Sequence, residues 1–200
     1  MPIITFDFDG VLFNPWAANL GMLEGLCQAY SKKSPFKTVE DYVTCLKADG
    51  WPDVYKQCGF TDDDMPTIWE EFVDCFTRNE LPPYADALAA LQNFGDCIIS
   101  GNHGDVIRWQ LAQQYVSPVR IHDHQTPKEE AFRHEADGDL LVYVTDCVND
   151  VAVLKGVGQG QPVMAVGAGW GLYTEDELQE AGADVTLASD DRLPDFLETL

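Results

Sequence analysis

The sequence predicts an α/β fold, a doubly wound parallel sheet interrupted early by an all-helical insert. Three observations carry this. A short apolar run, "IITF", ends in the aspartates of "DFDG", Asp7 and Asp9. Residues 15–80 then show only helical periodicity. From Pro82 onward short apolar runs alternate with helical ones, the pattern of βαβ units and a parallel sheet.

The elements follow in order. Residues 3–6 read as a short buried strand. Trp16, Leu20, Leu23, Cys27 and Tyr30 recur at three- and four-residue steps, one apolar stripe on a helix. "SKKSP" at 31–35 ends it. Thr38 is placed to cap the next helix, with Asp41 three residues on. The chain breaks again near Trp51–Pro52. In "TDDDMPTIWEEFVDCF", Ile68, Trp69, Phe72, Val73 and Phe76 share one face. Beyond Pro82, "YADALAALQNF" is helical and "DCIIS" (96–100) is a strand ending at Ser100. "GDVIRWQLAQQY" is helical and "PVRIH" is a short strand. "TPKEEAFRHEA" is a helix with Pro127 near its first turn. "DLLVYVT" (139–145) is the clearest strand. "NDVAVLKG" is helical, "PVMAV" a strand, and "TEDELQEAG" a helix ending at Gly182. "DVTLA" is the last strand and "DDRLPDFLETL" the last helix.

Composition narrows the function. The chain has 200 residues and is 46% hydrophobic, enough for a buried core. No apolar run approaches the roughly 18 residues of a membrane helix. No basic flank with an apolar segment marks a secretory signal, so the expected location is the cytoplasm. Thirty-four acidic residues against 12 basic ones give a net charge of −22. That excludes the basic footprint of a nucleic-acid or membrane-surface binder. A cation held among carboxylates fits it better. The six cysteines form no CxxC and no zinc-finger spacing with histidine, and they read as buried reduced thiols. "HDH" at 122–124 reads as a polar loop.

Parallel sheets place their sites outside the carboxyl ends of the strands. That edge collects Asp7 and Asp9, then Ser100, then Asp146 with Asp150. Lys128 starts the helix before the Asp146 strand. Two carboxylates about 4 Å apart repel by about 4 kcal/mol at an effective dielectric of 20. A divalent cation offsets that repulsion, and oxygen-rich, water-accessible ligands suit Mg²⁺.

These motifs resemble those of the haloacid dehalogenase-like (HAD) phosphohydrolase superfamily. "DFDGVLFN" is similar to its first motif, "CIISGN" to its second and "VTDCVNDVAVLKGVG" to its fourth. The tail from "PVMAVGAGWG" to "DRLPDFL" resembles phosphoglycolate phosphatase-like members. "LPPYADALAAL" resembles the stretch by which they re-enter the core. The resemblance implies a Rossmann-like core domain, 1–14 and 82–200, and a helical cap domain, 15–81. It implies Mg²⁺-dependent hydrolysis of a small phosphate monoester. Asp7 would be the nucleophile, forming an aspartyl-phosphate, and Asp9 the acid and base. Ser100, Gly101 and Lys128 would bind the phosphoryl oxygens. The metal would take Asp7, the Asp9 carbonyl, Asp146 and Asp150. Gly10 would let the chain turn closely under the phosphate. Dehalogenases of the superfamily lack an acid at the Asp9 position, because a departing halide needs no proton; Asp9 therefore favours phosphate chemistry. The alternatives are a phosphomutase and a non-catalytic, phospho-accepting signalling module.

Three departures from the family pattern stand out. Thr145 occupies a common glycine position. Gly101 intervenes between Ser100 and Asn102, which are usually adjacent. Lys128 lies two residues beyond the lysine position of a KPxP pattern, yet no other lysine is near that segment.

Overall fold

The computed structural model of the protein describes residues 1–117 and 119–200; Pro118, the start of the expected "PVRIH" strand, lies outside the described residues. The chain opens with β1 (Ile3–Phe6), followed by α1 (Trp16–Ala29), α2 (Val39–Asp49), α3 (Trp51–Gln57) and α4 (Met65–Phe76). Next come α5 (Ala85–Phe94), β2 (Cys97–Ile99), α6 (Gly104–Gln113), β3 (Arg120–His122) and α7 (Glu129–Glu135). The remainder is β4 (Leu141–Thr145), α8 (Val148–Val157), β5 (Val163–Ala168), α9 (Glu175–Glu180), β6 (Val185–Leu187) and α10 (Leu193–Leu197). Two compact units result, Met1–Asn14 with Pro82–Leu200, and Pro15–Leu81.

The first unit is a parallel sheet in the order β3-β2-β1-β4-β5-β6, with β1 flanked by β2 and β4. The order reverses direction at β1, the switch point where such sheets build their sites. Register is fixed by Thr5 opposite Cys97 and Tyr143, and by Phe6 opposite Ile98 and Val144. Alternation sends Cys97, Ile99, Leu141, Tyr143 and Ala165 to one face, where they pack with Ala131 and Phe132 of α7, Val151 and Leu154 of α8, and Leu178 of α9. Phe6, Ile98, Val142, Val144 and Val166 point the other way and are equally buried. Both faces are therefore covered, which is why these strands read as unbroken apolar runs.

The second unit has its own core. Leu20, Leu23 and Cys27 of α1 meet Tyr42 and Cys45 of α2, Val54 and Tyr55 of α3, and Ile68 of α4. Trp69 stacks on Phe72 with ring planes 2° apart, and Trp51 meets both rings edge-on. Thr38 caps α2 as its spacing predicts. Its hydroxyl accepts from the Asp41 amide at 3.1 Å, and the Asp41 carboxylate takes the Thr38 amide at 3.1 Å.

Two local readings are corrected. The break before α3 falls at Gly50, whose φ of +86° lies in the left-handed region that glycine tolerates best. Trp51 and Pro52 then open α3, with proline in the first turn where its missing N–H costs nothing. Pro127 lies outside α7, because Lys128 is that helix's N-cap. His122 closes β3, as the "PVRIH" strand reading expects, while Asp123 and His124 of "HDH" lie beyond it in the loop, His124 with φ +54°. All six cysteines are free thiols, with Cys75 and Cys147 only partly buried.

Candidate active site

The site is built at the carboxyl edge of β1. The Asp7 amide continues the ladder by donating to the Val144 carbonyl at 2.9 Å, so Asp7 leaves the sheet in a fixed position. The chain then turns sharply. Leu12 and Phe13 amides both donate to the Phe8 carbonyl, at 3.0 and 3.2 Å, and the Gly10 amide donates to the Phe13 carbonyl at 2.8 Å. Gly10 has φ +75°, the conformation this turn requires. Phe8, Val11, Leu12 and Phe13 are fully buried and anchor the turn.

Lys128 is the hub. Its Nζ donates to Asp7 Oδ2, to Asp150 Oδ2 and to the Tyr143 hydroxyl, each at 2.6 Å. The ammonium is buried. Burial alone would lower its pKa, but Asp150 and Asp7 outweigh that and hold it above its ordinary value. Tyr143 donates onward to the Ile99 carbonyl at 3.1 Å, and burial raises its own pKa well above the usual range. The Thr145 hydroxyl reaches Asp150 Oδ2 at 3.4 Å and accepts from the Cys147 amide at 3.1 Å. A glycine there would leave both without that oxygen.

Asp9 is held separately. Asn102 Nδ2 donates to Asp9 Oδ2 at 2.9 Å, while Asp9 Oδ1 is buried without a hydrogen-bond partner among the described residues. Asn102 is itself fixed. Its amide donates to Ser100 Oγ at 3.1 Å, and its Oδ1 accepts from the His103 amide at 2.6 Å. The extra Gly101 therefore does not remove the asparagine from the site; it routes Asn102 to the second acid. Asp146 Oδ2 accepts from the Leu172 amide at 2.6 Å. That loop passes so close that a side chain at Gly171 would overlap Asp146 and the Gly10 carbonyl.

Charge is badly unbalanced here. Four carboxylates, Asp7, Asp9, Asp146 and Asp150, face one ammonium. Burial pushes Asp7 up to about 7, against the pull of Lys128, with Asp150 adding to the rise. Burial likewise pushes Asp9 up to about 6, against its bond from Asn102. Asp146 is raised well above its ordinary value by burial and then by Asp7. A buried carboxylate oxygen with no donor and two carboxyls driven toward their protonated forms suit a divalent cation with oxygen ligands. Asp7 and Asp146 offer charged oxygens, with Asp9 contributing from its backbone.

The structure thus brings Asp7, Lys128 and Asp150 into direct contact and joins Asp9 to the Ser100 turn through Asn102. It places Asp146 against the Gly171–Leu172 loop. Sequence reasoning missed Tyr143 and left Asn102 open. Tyr143 had a signal: in "LVYVT" it alternates with Thr145 on one face, two hydroxyls in an otherwise apolar strand.

No family model and no curated protein matches the chain. Solved structures do. A haloacid dehalogenase-like family hydrolase from Streptococcus pneumoniae aligns with TM-score 0.71 at 13% identity, over 98% of each chain. A predicted phosphoglycolate phosphatase from Haemophilus somnus aligns with TM-score 0.74 at 15% identity, over 98% of this chain and 97% of that one. A protein assigned as a beta-phosphoglucomutase from Thermotoga maritima aligns with TM-score 0.67 at 16% identity, over all of both. The chain has the fold of the haloacid dehalogenase-like hydrolases. Within that fold it is similar to proteins named as phosphatases and as a phosphomutase. Among the described residues no helix is long and apolar enough to cross a membrane.

Proposed function

We propose that the protein is a Mg²⁺-dependent phosphatase that hydrolyses a small phosphate monoester in the cytoplasm. The observation that supports this best is the pairing of Asp7, bound to Lys128, with a second acid held apart from it by Asn102. Phosphoryl transfer asks a protein for in-line positioning and neutralised charge. Asp7 attacks phosphorus, forming an aspartyl-phosphate as the alkoxide departs. Asp9 gives that alkoxide its proton, then takes one from the water that cleaves the acyl phosphate. A pKa near 6 suits both duties near neutral pH. Lys128 balances charge on the phosphoryl oxygens, with Ser100 and the Gly101 backbone beside it. Asp7, the Asp9 carbonyl and Asp146, with Asp150 directly or through water, would hold Mg²⁺, which would supply further charge neutralisation. The helical unit 15–81 acts as a cap and selects the substrate.

The test is hydrolysis of an aryl phosphate with Mg²⁺, in EDTA, and by Asp7→Asn. Turnover that needs both the metal and Asp7 is expected. A folded, metal-loaded protein with no turnover on any phosphoester of a broad panel would overturn the reading. The likeness to an assigned beta-phosphoglucomutase motivates the second reading, a phosphomutase. It predicts isomerised sugar phosphate with no release of inorganic phosphate.

A further inference from the structure

A second group of potential metal ligands lies on the face of the sheet beneath α7. Cys97 of β2, His122 of β3 and Glu135 of α7 bring Sγ, a ring nitrogen and a carboxylate oxygen within 4.8 Å of one another. Register explains the meeting. Ile99 pairs with His122 and Cys97 with Arg120, so Cys97, Arg120 and His122 all point to the face that α7 covers. Cys97 and Glu135 are buried.

The arrangement around Glu135 is polarised. Arg120 donates to Oε2 at 2.9 Å. The other oxygen, Oε1, lies 2.7 Å from His122 Nε2 and 3.2 Å from His134 Nδ1. Arg120 alone would neutralise this carboxylate. A thiol and two imidazoles gathered on its opposite side exceed what burial of one charge requires. A carboxylate that binds a metal through one oxygen commonly has its other oxygen tied by a hydrogen bond, and Arg120 supplies that tie.

We propose that Cys97, His122 and Glu135 bind a zinc-class divalent cation, with His134 as the fourth donor. Sulfur and imidazole favour Zn²⁺ or Co²⁺ over Mg²⁺, so the site differs in chemistry from the carboxylate site around Asp7. Bonds of about 2.0–2.3 Å put tetrahedral ligands about 3.3–3.8 Å apart, against a spread of up to 4.8 Å among the Cys97, His122 and Glu135 donor atoms. Burial and Glu135 keep the thiol protonated when no metal is present. Binding forms the metal–sulfur bond and releases that proton to solvent; no oxidation is involved. The cation would clamp edge strand β3 and strand β2 to α7, whose N-cap is Lys128. The His122 carbonyl also accepts the Ser100 amide at 2.9 Å, so the clamp lies directly behind the phosphate-binding residues.

The experiment is a Co²⁺ titration of EDTA-treated, dialysed protein in excess Mg²⁺, followed by absorption. One equivalent of Co²⁺ with a thiolate-to-cobalt band in the near ultraviolet and tetrahedral bands in the visible is expected. The band should vanish in Cys97→Ser and weaken at least tenfold in affinity in His122→Asn. It should persist in Cys147→Ser, the thiol beside Asp146, and in Asp146→Asn. Circular dichroism of each variant checks that it is folded, and His122→Asn on the edge strand serves if Cys97→Ser is not. Absence of a thiolate band in the parent protein, or a band that survives in folded Cys97→Ser or disappears in Cys147→Ser, overturns the proposal.

Discussion

Lys128 and Asp9 are the two electrostatic extremes of the site, one with three partners and one with an oxygen that no described residue donates to. Replacing Lys128 by Met removes the only cation, among the described residues, that the Asp7–Asp150 pair touches. Breaking a buried ion pair in this way costs about 3–5 kcal/mol. The loss should be largest near pH 8 and shrink toward pH 5.5, where Asp7 takes up a proton, and urea unfolding in EDTA at the two pH values measures it. Asp9→Asn predicts a kinetic signature. A nitrophenolate leaves without a proton, but cleavage of the aspartyl-phosphate still needs a base. Rapid mixing with nitrophenyl phosphate should give a burst of one product per active site, then turnover slowed by about 10²–10⁴-fold. Loss of burst and steady rate together would mean that Asp9 also orders Asp7. The placement of Lys128 among the site carboxylates was legible in the sequence, since no other lysine was near. That of Tyr143 was not, because a phenol in a buried strand reads as packing until the facing helix is in place.

At the scale of elements, the site depends on loops that approach each other at backbone distance. The loop after β5 passes Asp146 with no room for a side chain at Gly171. Gly171→Ala should displace Asp146 and reduce the thermal stabilisation given by Mg²⁺, while far-ultraviolet circular dichroism stays unchanged. An Mg²⁺ response equal to the parent's would show that the loop yields instead. The central strands were easy to read because both faces of the sheet are covered there and their runs are mainly apolar. The Thr38 cap was legible for the same local reason, a hydroxyl and a carboxylate three residues apart. The errors arose where one residue decides an end. At Gly50 a left-handed φ, invisible in the sequence, moves the boundary ahead of Trp51. Around Lys128 the chain delays the helix until after Pro127. His122 was legible as the end of the "PVRIH" strand, but its register opposite Ile99, 23 positions away, was not.

The whole molecule is an acidic chain whose buried carboxylates work against its folding until something neutralises them. Asp7 and Asp146 have folded pKa values above their unfolded ones. The folded form therefore binds more protons, and metal-free stability falls as pH rises from about 4 through the Asp7 value of about 7. On the proposed function, Mg²⁺ would take the place of those protons. Its effect on the melting temperature should be small at pH 5.5 and large at pH 8, and an equal shift at both would contradict the carboxylate ligand set. The position of β1 between β2 and β4 has another consequence, in the order of synthesis. On the ribosome, β1 emerges before either neighbour exists, and its partners at 97–98 and 141–144 follow a whole helical unit later. The strand that carries Asp7 must wait, unpaired, while residues 15–81 assemble a core from their own side chains. Nascent chains halted before β4 should be open to protease at Asp7 while their helical segment is already protected.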